Sequence, residues 1–100
     1  MTPDMRAPTR AMELAPVLDV MAAAPLAARL RACSGANVTI DGSRVERLGG
    51  QCLQILLAAA ASCRAHGARL RLVDPSPAML DDLALFGVGR ADLESGENES

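Results

Sequence analysis

The spacing of hydrophobic positions changes period several times along the chain, and each change marks a new element. Met12 to Val17 reads as a short strand. Proline lacks the ladder N–H, so Pro16 puts this strand at a sheet edge or ends it. From Ala22 to Cys33, Leu26, Leu30 and Cys33 recur at i, i+4 and i+7, which is one stripe of a helix. Pro25 suits its first turn, and Ser34 with Gly35 stops it. Asn37 to Asp41 alternates, with Val38 and Ile40 on one face and Thr39 on the other, before Gly42 and Ser43 break the strand. A loop from Arg44 to Leu48 leads through Gly49 and Gly50 into the longest predicted helix, about Gln51 to His66, closed by Gly67 at C′. On that helix Cys52, Leu53, Leu56, Ala59, Ala60 and Cys63 share the face expected to be buried.

Arg69 to Val73 alternates again, putting Leu70 and Leu72 toward a core and Arg69 and Arg71 toward water. Asp74-Pro75-Ser76-Pro77 then supplies a turn, an N-cap serine and a first-turn proline. Met79, Leu80, Leu83 and Phe86 form the apolar stripe of a last helix that Gly87 ends. The order strand, helix, strand, helix, strand, helix predicts an α/β architecture: a small mixed sheet with a parallel βαβ crossover between Ile40 and Leu70. One wet strand face predicts helices mainly on one side of that sheet.

One hundred residues fit a single domain. Residues 1–11 carry prolines and mixed charge without periodicity and read as a disordered leader; 12–88 form the ordered body; 89–100 are Glu-, Ser- and Gly-rich and read as an acidic flexible tail. Phe86 is the one aromatic residue, so the core is built of Leu, Val, Ile, Met and Ala.

A net charge of −2 and the lack of aromatic platforms argue against nucleic-acid binding. Arg64, Arg69 and Arg71 lie close in sequence but read as solvated positions. The odd set of three cysteines, without a CxxC pair or a secretory leader, reads as reduced thiols in a cytoplasm, with neither metal nor cofactor implied. Gln51, Gln54, Ser62 and Arg64 interrupt the most apolar stretch, so direct membrane insertion is not expected. Cys63 and His66 stand at i, i+3, but a buried thiol and a helix-end histidine do not make a catalytic pair. Asp41, at a strand's carboxyl end, has no second acid or base beside it, so no catalytic residue is assigned.

Leu14-Ala15-Pro16-Val17-Leu18-Asp19, then Val38 through Leu48, then Leu70 through Pro77 together resemble STAS domains, the sulfate transporter and anti-sigma-factor antagonist family. The most specific stretch is Asp41-Gly42-Ser43-Arg44-Val45, matching the family's Asp-x-Ser-x-Val. In the anti-sigma-factor antagonists a following Asp-Ser-Ser/Thr-Gly-Leu turn carries a phosphorylated hydroxyl. The aligned residues here are Gly49-Gly50-Gln51-Cys52-Leu53, so the resemblance implies the docking turn without its phosphate switch. Ser43 is the one nearby hydroxyl and a subordinate phosphoacceptor candidate; a turn-stabilising role is the simpler expectation. Val45 to Leu57 also resembles small STAS proteins of alphaproteobacterial chemotaxis operons, which implies a histidine kinase or its response-regulator system as partner.

The two glycines expose main chain to a partner, against the plainer alternative that they only form the turn. Gln51, Gln54, Ala58, Ala61, Ser62 and Ala65 give the long helix an outward flank with little charge or bulk, with Ile55 at its margin. Such a flank admits a helix of another protein or of a second copy, against the alternative of simple Ala-rich helix propensity. The expected function is therefore a non-catalytic regulatory adaptor, docking through Gly49, Gly50, Gln51, Gln54, Ile55 and Ala58. An MlaB-like subunit of a lipid-transport ATP-binding cassette complex is the second expectation, and a thiol enzyme using Cys52 the third.

Overall fold

The computed structural model describes residues 9–94. Strands β1 (Thr9–Glu13), β3 (Asn37–Asp41) and β5 (Leu70–Val73) form a three-stranded sheet in that order. A second, two-stranded sheet joins β2 (Val17–Leu18) to β4 (Arg47–Leu48). Helices α1 (Val20–Ala32), α2 (Gly50–Ala65) and α3 (Pro77–Leu85) and a 3-10 turn (Arg90–Leu93) complete the elements of the described residues. Each described pairing is parallel, where a mixed sheet was expected.

Register explains why one face is dry. Met12 stands opposite Ile40, Val38 opposite Leu70 and Ile40 opposite Leu72, so these apolar residues share one face. All five are buried, together with Leu26 of α1 and Leu53 and Leu56 of α2. Each fully buried aliphatic side chain contributes roughly 1.5–3 kcal/mol. On the other face Ala11, Thr39 and Arg71 align and stay partly or fully exposed. The predicted one-sided helical layer is thus present.

Several boundaries move for identifiable reasons. The expected strand from Met12 to Val17 is two strands, because the chain leaves β3 after the Leu14 N–H donates to the Asp41 carbonyl, and Pro16 sits in the gap. The Pro16 carbonyl instead accepts from the Glu46 and Arg47 amides, which starts the β2–β4 pair. Helix α1 begins at Val20, before the expected Ala22, because the Asp19 carboxylate accepts from the Met21 and Ala22 amides at 3.0 and 3.2 Å. Pro25 consequently lies inside the helix, past the first turn. Ser76 caps α3 as expected, with Oγ accepting from Met79 N at 3.0 Å and donating to the Val45 carbonyl.

Both expected loose ends contribute to the described body. Thr9, Arg10 and Ala11 pair with Asn37, Val38 and Thr39. At the other end Leu93 is buried, and Arg90 and Glu94 bond the outer carbonyl and amide of Leu72 at 2.7 and 3.0 Å. These two side chains occupy an edge strand's otherwise open hydrogen-bonding groups. Residues 1–8 and 95–100 of the expected leader and tail lie outside the described residues.

Candidate functional site

The small β2–β4 pair delivers two helix starts side by side. Each strand ends at a cap residue, Asp19 for α1 and Gly49 for α2, and the Gly49 N–H donates to the Leu18 carbonyl at 2.9 Å. The approach is close: a methyl group on Gly49 would stand 3.2 Å from the Leu18 oxygen. The Cys52 thiol donates to the Asp19 carbonyl at 3.4 Å and ties the two starts together.

The end of α3 closes the third side. Asp82 Oδ2 accepts from the Leu48 amide at 2.8 Å, and the Phe86 ring lies 3.7 Å from where a Gly50 Cβ would be. Helix α2 therefore opens between α1 and α3 with no side-chain cap and no acidic residue in its first turn. Its leading N–H groups carry the partial positive charge of the helix dipole. The flanking helix ends carry exposed apolar residues, Val20 and Met21 at the start of α1 and Leu85 and Phe86 at the end of α3, with Met21 80% and Leu85 84% exposed.

The sequence-predicted docking residues divide into two places. Gly49, Gly50 and Gln51 are at the helix start, and Gln54 continues the exposed stripe one turn on. Ile55 and Ala58 instead line a groove shared with Ala27, Leu30 and Arg31 of α1. Sequence reasoning missed Val20, Met21 and Leu85 and expected Phe86 and Leu80 on the apolar stripe of the last helix; Phe86 is its C-cap and 47% exposed, and Leu80 is 43% exposed. The available signals were the Val20-Met21 pair directly after an N-capping aspartate and the Leu85-Phe86 pair directly before Gly87.

The remaining candidates have local roles. The Ser43 amide donates to Asp41 Oδ1 at 2.8 Å, and this bond, with the Ser43 hydroxyl and Arg44 adding to it, lowers the Asp41 pKa. Arg44 also pairs with Glu13 at 3.3 Å across an exposed surface. His66 Nδ1 lies 2.8 Å from the Ser62 carbonyl, which can only accept, so the ring donates its proton to the helix end. Burial, and then the Asp19 carboxylate, raise the Cys52 thiol pKa, and the side chain is 0% exposed, the opposite of an activated nucleophile.

A family model described as "Mlab, STAS domain" matches residues 1–95. The chain belongs to this STAS family. STAS domains are generally non-catalytic domains that bind protein partners. In this STAS chain the α2 start carries glycine and glutamine and no hydroxyl at positions 50 and 51. No curated protein and no solved structure matches the chain. No helix among the described residues is long and apolar enough to cross a membrane.

Proposed function

We propose that this STAS chain is a non-catalytic docking subunit that binds a protein partner where α1 and α2 begin and α3 ends. Gly49, Gly50 and Gln51 form the centre, Gln54 extends the contact along α2, and Met21 and Phe86 are the apolar anchors. The observation that carries this reading is the α2 start without a side-chain cap, flanked by helix ends that expose apolar side chains. Exposed apolar residues beside main-chain donors suit a partner that brings both an apolar contact and a hydrogen-bond acceptor.

The partner we favour is the ATPase subunit of a lipid-transport ATP-binding cassette complex, a choice supported by the description of the matching family. A chemotaxis histidine kinase or response regulator is the alternative, supported by the resemblance of Val45 to Leu57 alone. The protein works in the cytoplasm, a placement supported by its odd set of three cysteines without a CxxC pair. No phosphate switch operates at positions 50 and 51, and Ser43 acts as a turn residue.

Affinity capture with the full chain tests both parts. The wild type retains an ATP-binding cassette ATPase, and Gln54→Glu and Phe86→Asp each weaken retention at least about tenfold, the scale of losing a hot-spot contact. Unchanged capture by both variants would overturn the surface. Recovery of a histidine kinase or response regulator in place of the ATPase would overturn the partner and keep the docking role.

A further inference from the structure

Between the C-terminal halves of α1 and α2 lies a cavity of about 290 Å³, away from the α2 start. Val38 and Leu70 of the sheet contribute to its lining, and Leu30 and Ile55 supply bulk from the two helices. It exists because Ala27, Ala58 and Ala59 stand where longer side chains would fill the space between the helices. Arg31, Ser34, Ala58, Ser62 and His66 along it are exposed, so the space is a groove open to solvent on one side and floored by Val38 and Leu70.

Polar groups appear in four of the lining residues, Arg31, Ser34, Ser62 and His66. Among the described residues that line it, Arg31 is the one permanent charge and none is a carboxylate. The nearby helix-end carbonyls already accept hydrogen bonds from their own caps: Leu30 from Cys33 N, Arg31 from Ser34 N, and Ser62 from both His66 N and the His66 ring. With Nδ1 committed as a donor, His66 has Nε2 left to meet a ligand.

An apolar groove with a single cation and few polar groups has the composition of a small-ligand site, at the low end of the roughly 300–1,000 Å³ such sites occupy. We propose that this cavity binds a medium-chain linear carboxylate, its chain between α1 and α2 and its carboxylate on the Arg31 guanidinium. Arginine is suited to a carboxylate because its planar fork can donate two parallel hydrogen bonds. The inference is independent of the docking surface, and its failure would leave that reading standing.

The cavity carries its own reporters, because Cys33 and Cys63 line it while Cys52 is fully buried elsewhere. The full chain is treated with N-ethylmaleimide with and without decanoate below its micelle concentration, and each thiol is read by mass spectrometry. Decanoate is expected to slow labelling of Cys33 and Cys63 several-fold and to leave Cys52 unchanged. In parallel titrations Arg31→Gln weakens decanoate at least about tenfold, as loss of a charge-assisted bond should, and leaves decanol unaffected. Ala58→Phe, a change at an exposed position, abolishes binding of both while far-ultraviolet circular dichroism stays native. No protection of the wild-type thiols by decanoate overturns the site. Equal binding of decanol and decanoate, indifferent to Arg31→Gln, overturns the assignment of the carboxylate to Arg31.

Discussion

At its N-terminal end α2 packs closely on its neighbours: the Gly49 N–H donates to the Leu18 carbonyl, the Cys52 thiol to the Asp19 carbonyl, and the Phe86 ring lies beside Gly50. At its C-terminal half the same helix borders, with α1, a cavity of about 290 Å³ beside Ala58, Ala59 and Cys63. Both ends are rich in small residues. At the first, small size is required by backbone approach, since an added methyl on Gly49 would meet an oxygen at 3.2 Å. At the second, small size leaves space unfilled. Small residues in a helix therefore do not report one kind of packing; what faces them decides whether they bring surfaces together or hold them apart.

The largest effect should come from enlarging one residue at each end. Cys52→Leu overpacks the tight end and lowers unfolding free energy by about 1–3 kcal/mol, whereas Ala59→Leu at the cavity changes it by less than about 1 kcal/mol. Urea unfolding of the two variants measures this, and equal losses would erase the contrast.

A smaller effect separates the adjacent glycines. Gly49→Ala should destabilise by about 1 kcal/mol, through the Leu18 oxygen and because alanine is a poorer N-cap than glycine. Gly50→Ala should be neutral or stabilise by up to about 1 kcal/mol, because its Cβ meets only ordinary contact with Phe86 and alanine favours helix. If both substitutions cost the same, the tightness of the turn does not reside at Gly49.

The smallest effect is a pH slope from the tight end. The folded Cys52 pKa is raised, so the unfolded thiol ionises first. Stability from this group is full below the ordinary thiol pKa of about 8.5 and falls as pH rises from there through the folded value. Wild-type urea midpoints should decline over that window, and Cys52→Ser should flatten the decline. A slope identical in the two proteins would mean that the buried thiol is not its source.

Periodicity made the elements legible. The alternation in Asn37 to Asp41 and Leu70 to Val73, and the Ser76-Pro77 start and Gly87 stop of α3, follow from local geometry that any chain obeys. Gly67 and Gly87 take positive φ values of 71° and 72°, as their helix-ending positions predict. The N-cap at Asp19 went unread, because the apolar period starting at Leu26 drew the expected helix start inward to Ala22. The docking turn at Gly49 and Gly50 could be located, and the apolar helix ends that flank it could not. Met21 lies at the start of α1 and Leu85 and Phe86 at the end of α3, and no pattern within one element says that it flanks the start of another.

By itself the sequence determined the α/β order, the burial of Cys52, Leu53, Leu56 and Ala60 on α2, though not of Ala59 and Cys63, which are only partly buried, and the absence of a hydroxyl at positions 50 and 51, because each depends on residue type and short-range spacing. Tertiary structure alone decided that Pro16 separates two sheets and that Leu93, Arg90 and Glu94 fold back onto the chain. It also decided that Ile55 and Ala58 border a cavity shared with α1. Those outcomes depend on what a distant segment brings: a carbonyl at Asp41, the open edge of β5, a helix set a short distance away. The physical reason is that burial and hydrogen-bond satisfaction are properties of pairs of surfaces, and one strand of sequence records only one member of each pair.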